Sequence, residues 1–547
     1  MNLFYVFYLA VLGLAIVSAA QVKAVEASVY VSSVSSNPQY HIKFGVLDKY
    51  NAAAFGYYYP EQNVTGFDRL YVHSNSHFPD DVQAYAIGFL EGAITAPQLY
   101  LTSRNFLNND FSGKHTPGKI LDFMHTQLRW IQDEIKANPE SLYWKNIELV
   151  LKQFFGLVRG YNTQCEDYQA LDFDTLFAIA SAGELADLVP GLIPSQRCEW
   201  YRFPQEVCLE EAVKHHCTAF IRLLPDYSDI FAAHNLWTSY GNLRIYKYYN
   251  TPYSTVHAPS VSFSSKPGDL RSKDDFYQLS SGLIVLETSL PVLNDDPYKK
   301  LTPEKTIPTW IRVIVANRMA KDAVEWTTLF KQYNSGTHNN EWFVLDTNKF
   351  TKGKPLPPQS VFALDQSPGY VEVMDMTDEL NTNGWIASIN IPRSKKIWSA
   401  TGYPEYVKNF GKYGHWFSYE DAPRMAIMRR DAPKVKTWDD LKKFMRANDY
   451  KNDELSEGYP FNQIAARWDV IEENPLHFKP QAYGAIDAKL TNLERLRNMN
   501  PEIIAGPTTD ADYLEPFNWD TASVGQDTSH IGMPSVWKFD WQDVRPE

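Results

Sequence analysis

The sequence predicts an α+β fold in one compact domain, and three observations carry it. Apolar residues recur at helical spacing in the first third of the chain; the texture changes to short β-rich runs from Cys217 onward; and no internal repeat or low-complexity linker divides the two parts. Some strand is expected before Asp81. From Asp81 to Thr95, Ala84, Ile87, Phe89, Leu90 and Ile94 fall on one helical face, and the small Gly88 and Gly92 between them imply close packing on a neighbour. Two further helices, Ile120 to Ile135 and Trp144 to Tyr161, follow, so the portion before Cys217 is mainly helical. Gln196 to His216 carries Arg197, Arg202, Lys214 and two cysteines among polar residues and reads as an exposed connector. After it come strand candidates at Ser281 to Thr288, Ile311 to Ala316 and Trp342 to Asp346, separated by Pro, Gly and Asn turns.

The 547 residues include 15 Trp, 33 Tyr and 30 Phe, enough apolar material for a large core, so overall disorder is excluded. A formal charge of −13 leaves no electrostatic footprint for nucleic acid. Leu3 to Val17 is a short apolar run ending in Val17-Ser18-Ala19-Ala20, the pattern of a secretory signal peptide over residues 1–20, with the mature chain starting near Gln21. No later apolar run reaches membrane-spanning length. In a secreted chain, Asn63-Val64-Thr65 becomes a glycosylation sequon at Asn63.

Cys217 is the most informative residue, because it opens the apolar run Thr218 to Leu224 deep inside the chain. A thiol at a new N-terminus carries its own general base, since the freed α-amine, with a pKa of about 7.7 to 8.0, accepts the thiol proton. That arrangement belongs to a self-cleaving hydrolase. The other reading of the four cysteines, Cys165, Cys198, Cys208 and Cys217, is two disulfides. If Cys217 is free, one bridge remains, and Cys198 with Cys208 is the nearest pair. Pro225-Asp226-Tyr227-Ser228-Asp229 is turn chemistry, followed by the strand candidate Ile230 to His234. A hairpin centred between Pro225 and Asp226 sets His234 directly across from Cys217, for proton shuttling or thiolate stabilisation; the alternative is a satisfied core histidine.

His215 and His216 point opposite ways on an extended chain and lack a second ligand cluster, so no metal and no cofactor is expected. No G-x-S-x-G elbow, H-E-x-x-H helix or P-loop occurs. Asn334 to Trp342 is either an Asn- and Gly-rich turn or a source of amide donors at a strand mouth. Asp421-Ala422-Pro423-Arg424 and Arg429-Arg430-Asp431 hold a substrate anion or form a structural ion-pair network.

Taken together, the chain resembles the phospholipase B-like (lamina ancestor) family over nearly the whole mature sequence. The match rests on Gly88-Phe89-Leu90-Glu91-Gly92, Gly156 to Tyr161, Cys217 to Pro225, Leu243 to Lys247, Asp274 to Tyr277, Ser281-Gly282-Leu283, Asn334 to Trp342, Ala422-Pro423-Arg424 and Gly532-Met533-Pro534. The resemblance implies a four-layer αββα N-terminal nucleophile hydrolase fold, cut autocatalytically before Cys217 into fragments 21–216 and 217–547 that stay associated. It implies Cys217 as nucleophile and His234 as its neighbour. Asn339 or Asn340 would supply oxyanion or amine contacts, with Arg424 as a further site residue. It also implies a lysosomal or secreted glycoprotein cleaving acyl esters of glycerophospholipids through an acyl-cysteine, with transient membrane-surface contact. The alternatives are an amidase acting on lipid-like or peptide amides, and a non-catalytic secreted binding protein. Relatives often carry cysteines in the region matching Phe461 to Gly484, where this chain has none.

Overall fold

The structure is a computed structural model that describes residues 23–32, 38–198, 205–214 and 217–546. The expected signal peptide and His215–His216 lie outside the described residues.

Two sheets form the middle of the molecule. The larger has eleven strands and begins at one edge with Tyr370–Asp375, Val361–Ser367, Asn340–Asp346 and Leu283–Ser289. It continues through Phe276–Leu279, Ser260–Ser265 and Ile245–Asn250 to Asp68–Ser74, Ala54–Tyr59, Val25–Val31 and Tyr40–Phe44. The smaller runs Trp385–Ser388, Thr218–Leu223, Ile230–Asn235, Asp487–Asn492, Glu502–Ala505 and Gln542–Asp543. In the large sheet, Asp68–Ser74 pairs in parallel with Ile245–Asn250, so backbone hydrogen bonds tie the chain before Cys217 to the chain after it.

Strand alternation sorts the side chains into layers. Ala219, Ile221 and Leu223 of the small sheet meet Phe276, Ile284, Leu286 and Phe343 of the large one, forming a dry seam between the sheets. On the far side of the large sheet, Leu70, Val72, Val285 and Val344 pack under the helices Asp80–Ile94, Leu142–Asn162 and Thr309–Met319. On the far side of the small sheet, Phe220, Phe231 and Leu490 pack under Pro423–Asp431 and Trp438–Arg446 through Met425, Met428, Leu441 and Phe444. The result is the four-layer αββα order.

The helices Asp80–Ile94 and Leu142–Asn162 cross at their glycines. A methyl on Gly88 would strike the carbonyl oxygen of Gln153, one on Gly92 that of Leu157, one on Gly156 that of Tyr85, and one on Gly160 that of Phe89. Four glycines therefore allow backbone to touch backbone.

Two expectations are corrected. Ile311 to Ala316 is not a strand but the middle of helix Thr309–Met319, whose residues from Thr309 to Ile314 are all buried. A helix covered on every side shows no amphipathic period, so its β-branched residues imitate a buried strand. The connector is not wholly exposed either: Gln205–Lys214 is a helix that buries Leu209, Ala212 and Val213, and a Cys198–Cys208 disulfide anchors its start, with Cα atoms 5.4 Å apart. No single described helix is long and apolar enough to cross a membrane; the pair Phe173–Ala180 and Ala182–Leu192 passes on composition, but it is bent by 96° and packs in the core under the large sheet.

Candidate active site

Thr218–Leu223 is an apolar run buried along its whole length, which suits a strand covered on both faces. Cys217, immediately before it, shares the parity of Ala219 and turns into the space between the sheets beside Leu236, Tyr246 and Ile486. The residue is 4% exposed and its thiol is free. Burial pushes the thiol well above its ordinary pKa, and the Glu287 carboxyl adds to the effect, while the backbone N–H of Trp237 is directed at the sulfur and opposes it.

The backbone of Cys217 is held on both sides. Ser388 pairs with Ala219, and continuing that register brings Asn390 alongside Cys217. The Cys217 N–H donates to Asn390 Oδ1 at 2.9 Å. Asn390 sits at φ +70°, a left-handed conformation that asparagine tolerates better than most residues, and its Nδ2 donates to the Ser289 carbonyl at 2.8 Å. Arg424 follows Pro423 in the first turn of its helix. Its Nη1 donates to the Cys217 carbonyl and to Thr218 Oγ1 (3.1 Å), and its Nη2 to the Ile389 carbonyl (2.6 Å) and Asn390 Oδ1 (3.0 Å). The guanidinium lies 4.4 Å from the ring centre of Trp237 and is 6% exposed. Arg424 thus sits at the Cys217 backbone. Arg429 and Arg430 instead make exposed ion pairs with Glu420, Asp431 and Asp453, the structural alternative.

The hairpin register needs correction. His234 pairs with Ala219, not Cys217, because Leu224 N–H bonds to the Asp229 carbonyl and closes a four-residue loop, Pro225–Ser228. Asp226 accepts from Ser228 N–H and Oγ, and Tyr227 takes φ +53°, so the centre falls one residue later than proline alone suggests. A shift of two in pairing keeps His234 on the inter-sheet face, diagonal to Cys217. The ring is fully buried, its Nε2 bonds to the Glu287 carbonyl at 2.9 Å, and burial, together with Lys489, holds its pKa well below the ordinary value. A carbonyl partner places the ring proton on Nε2 and leaves Nδ1 as an acceptor.

The asparagine pair is also placed differently. Asn340 opens its strand with the parity of Trp342 and Val344, which face the outer helices, so it points away from the space holding Cys217. Asn339 uses its N–H on Asp187 and its Nδ2 on the Gly336 carbonyl (3.0 Å). Asn390 occupies the position beside the Cys217 nitrogen. Asn63 is exposed on the short helix Gln62–Thr65.

Next to the site, four charges form a closed square between the sheets. Arg244 contacts Asp274 (2.7 Å) and Asp487 (2.6 Å), and Lys489 contacts Asp274 (2.8 Å) and Asp487 (2.7 Å). Asp275, Glu287 and His338 bring ligand-type atoms within 4.8 Å of one another, the one such group among the described residues. Arg271 lies 3.3 Å from Asp275, and burial, with Asp275 nearby, pushes the pKa of Glu287 well above the ordinary value.

Cys217 lines a cavity of about 470 Å³ with Lys214, Trp237, Ser289, His338 and Tyr483. A second cavity of about 290 Å³ shares Ser289, His338 and Glu211 and reaches Asn339 and the Cys198–Cys208 disulfide, so the two form one cleft. Tyr483 donates to the Lys214 carbonyl at 2.5 Å and pins the C-terminal end of helix Gln205–Lys214. Asn390, Trp237 and Tyr483 escaped the sequence reading. Only Asn390 had a local signal: a polar residue closing an apolar strand just before Ile391-Pro392.

A family model described as Phospholipase B matches residues 54–544. Phospholipase B-like protein G of Dictyostelium discoideum is 34% identical over 519 residues, covering 90% of this chain and 86% of that one. Phospholipase B-like 1 of Rattus norvegicus is 35% identical over 510 residues, covering 92% and 89%. The solved structure of a mutant conjugated bile acid hydrolase from Clostridium perfringens aligns with TM-score 0.31 and 11% identity, over 60% of this chain and 97% of that one.

Proposed function

The chain belongs to the phospholipase B family, and from that premise we propose a secreted or lysosomal acyl hydrolase that cuts itself before Cys217 and then cleaves acyl esters of glycerophospholipids. The observation that carries this reading is the double hold on one residue: Asn390 on the Cys217 nitrogen and Arg424 on its carbonyl, with the thiol opening into a cavity.

In self-processing, the Cys217 sulfur attacks the carbonyl carbon of His216. The C–N bond breaks, the nitrogen takes the thiol proton, and a thioester links His216 to the sulfur. Water then releases the His216 carboxylate and the thiol. In turnover the freed amine receives the thiol proton as sulfur attacks the ester, and passes it to the departing alcohol; water hydrolyses the acyl-cysteine to a fatty acid. Asn390 Oδ1 accepts an N–H of that amine and orients its lone pair, while the adjacent Arg424 cation favours the uncharged amine at acidic pH. Burial raises the pKa of the precursor thiol and shields it from passing electrophiles, so the sulfur becomes nucleophilic only as its proton leaves during attack on the adjoining peptide bond.

The shared large sheet supports continued association of the two fragments. Exposure of Asn63 supports its glycosylation. N-terminal sequencing of denatured, purified protein tests the reading. Two fragments, the second starting Cys-Thr-Ala-Phe, are expected, with Cys217→Ala giving one intact chain and no ester turnover. Cys217→Ala protein that still matures and hydrolyses phosphatidylcholine refutes it.

A further inference from the structure

The cavity that Cys217 opens into has a second chemical character on another wall. Lys266, in the loop after strand Ser260–Ser265, and Lys273 both line it. Lys266 is only 4% exposed, yet its ammonium makes no hydrogen bond or ion pair to any described residue; its contact is the ring of Phe106, 5.4 Å away. An unneutralised ammonium enclosed this far is costly unless something supplies the missing charge. Thr102, from the same helix as Phe106, lines the cavity, and its buried hydroxyl has no hydrogen-bond partner among the described residues. The carboxylates lining the cavity are Asp110 and Glu211, both exposed, and Asp269 acts on Lys266 from nearby without pairing with it, so the two lysines are offset only in part. Beside these groups lie apolar walls from Phe111, Leu185 and Val189.

Resting on the ester-hydrolase reading, we infer that Lys266 and Lys273, with Thr102, form an anion subsite that takes the phosphodiester of a lipid whose acyl ester is presented to Cys217. One negative charge, three or more acceptor oxygens and an attached apolar chain match two ammoniums, a hydroxyl and an apolar wall within one cavity. Burial, with Lys273 adding and Asp269 and Asp110 opposing, lowers the Lys266 ammonium to about 7, so it is fully charged in an acidic compartment and loses charge above neutrality.

The test compares octyl phosphocholine with octyl glucoside, both below their micelle concentrations, by calorimetry on the processed protein. Wild type is expected to bind the phosphocholine roughly 10- to 100-fold tighter. Lys266→Met should erase that preference and leave the glucoside unchanged, whereas Lys266→Arg should keep it. Equal binding of the two amphiphiles by wild type, or an equal loss of both in Lys266→Met, overturns the subsite. Inorganic phosphate binding as tightly as octyl phosphocholine overturns its assignment to a lipid. Turnover separates this inference from the one beneath it. An enzyme that hydrolyses monoacylglycerol and lysophosphatidylcholine equally, with no effect of Lys266→Met, keeps the ester reading and removes the subsite. A protein that binds octyl phosphocholine through Lys266 but turns over only N-acyl amides keeps the subsite and removes the ester reading.

Discussion

Replacing Asn390 with alanine removes three hydrogen bonds at once: from the Cys217 N–H (2.9 Å), from Arg424 (3.0 Å) and to the Ser289 carbonyl (2.8 Å). Arg424 keeps its other acceptors, but the buried Cys217 N–H is left unpartnered at about 1–3 kcal/mol, and the half-buried Ser289 carbonyl, which lines the cavity, loses a bond worth about 0.5–1.5 kcal/mol. Alanine is also less at ease than asparagine at φ +70°, which adds about 1 kcal/mol. Folding stability should therefore fall by roughly 2.5–5.5 kcal/mol, a loss a domain of this size can survive at low temperature. The effect on chemistry is separate. An unanchored residue 217 misplaces sulfur relative to the bond it attacks, and a misplacement of about 1 Å costs on the order of 100-fold. Asn390→Asp separates the two effects, because its carboxylate still accepts from the Cys217 nitrogen and from Arg424 while losing the donor to Ser289. The added negative charge stabilises the protonated amine, so processing should persist while the acidic limb of the kcat/KM profile moves to higher pH. Gel analysis with N-terminal sequencing reads processing, and a pH series on lysophosphatidylcholine reads turnover. Asn390→Ala protein that is fully processed with kcat/KM within about threefold of wild type would refute the reasoning.

Gly92→Ala drives a methyl into the Leu157 carbonyl of a packed helix and should lower stability by at least about 3 kcal/mol, whereas Gly118→Ala, with open space around it, should be neutral or better; thermal unfolding of both variants decides. Lys489→Met leaves Asp274 and Asp487 sharing one arginine and should cost about 3–5 kcal/mol, visible as a lower denaturant midpoint. The pH dependence of one buried carboxyl is equally specific. Burial raises Asp68 to about 6 although Tyr58 (2.7 Å) and Gln62 N–H (2.9 Å) donate to it. The folded state then holds a proton that the unfolded chain releases near pH 4, so wild type loses stability as pH climbs from about 4 to 6. Asp68→Asn escapes that loss, and its stability relative to wild type should rise by up to about 3 kcal/mol between pH 4 and pH 7; a pH-independent difference would contradict the assignment.

What the sequence revealed and what it hid follow one physical division. Cys217 was legible because a thiol placed immediately before an apolar strand is a local arrangement, and the helices around Gly88, Gly92, Gly156 and Gly160 were legible because an amphipathic stripe with small residues is local as well. The helix Thr309–Met319 was misread because periodicity reports a boundary between core and solvent, and this helix has none. The hairpin register failed by two residues because Asp226 and Tyr227, rather than the proline before them, shape the turn. Asn390 was out of reach for a different reason. Its contact with Cys217 spans 173 residues and depends on strand Trp385–Ser388 adding to the edge of the small sheet in a register that no neighbouring residue encodes. The buried square lies between these extremes. Arg244 and Lys489 each interrupt an apolar run, Leu243-Arg244-Ile245 and Ala488-Lys489-Leu490, which marks a charge that must be paired, but the sequence does not say with what. The same logic points to Lys266: a cation at 4% exposure that touches an aromatic ring and makes no hydrogen bond or ion pair to any described residue, its nearby carboxylates acting only at a distance, has its partner sought outside the described chain.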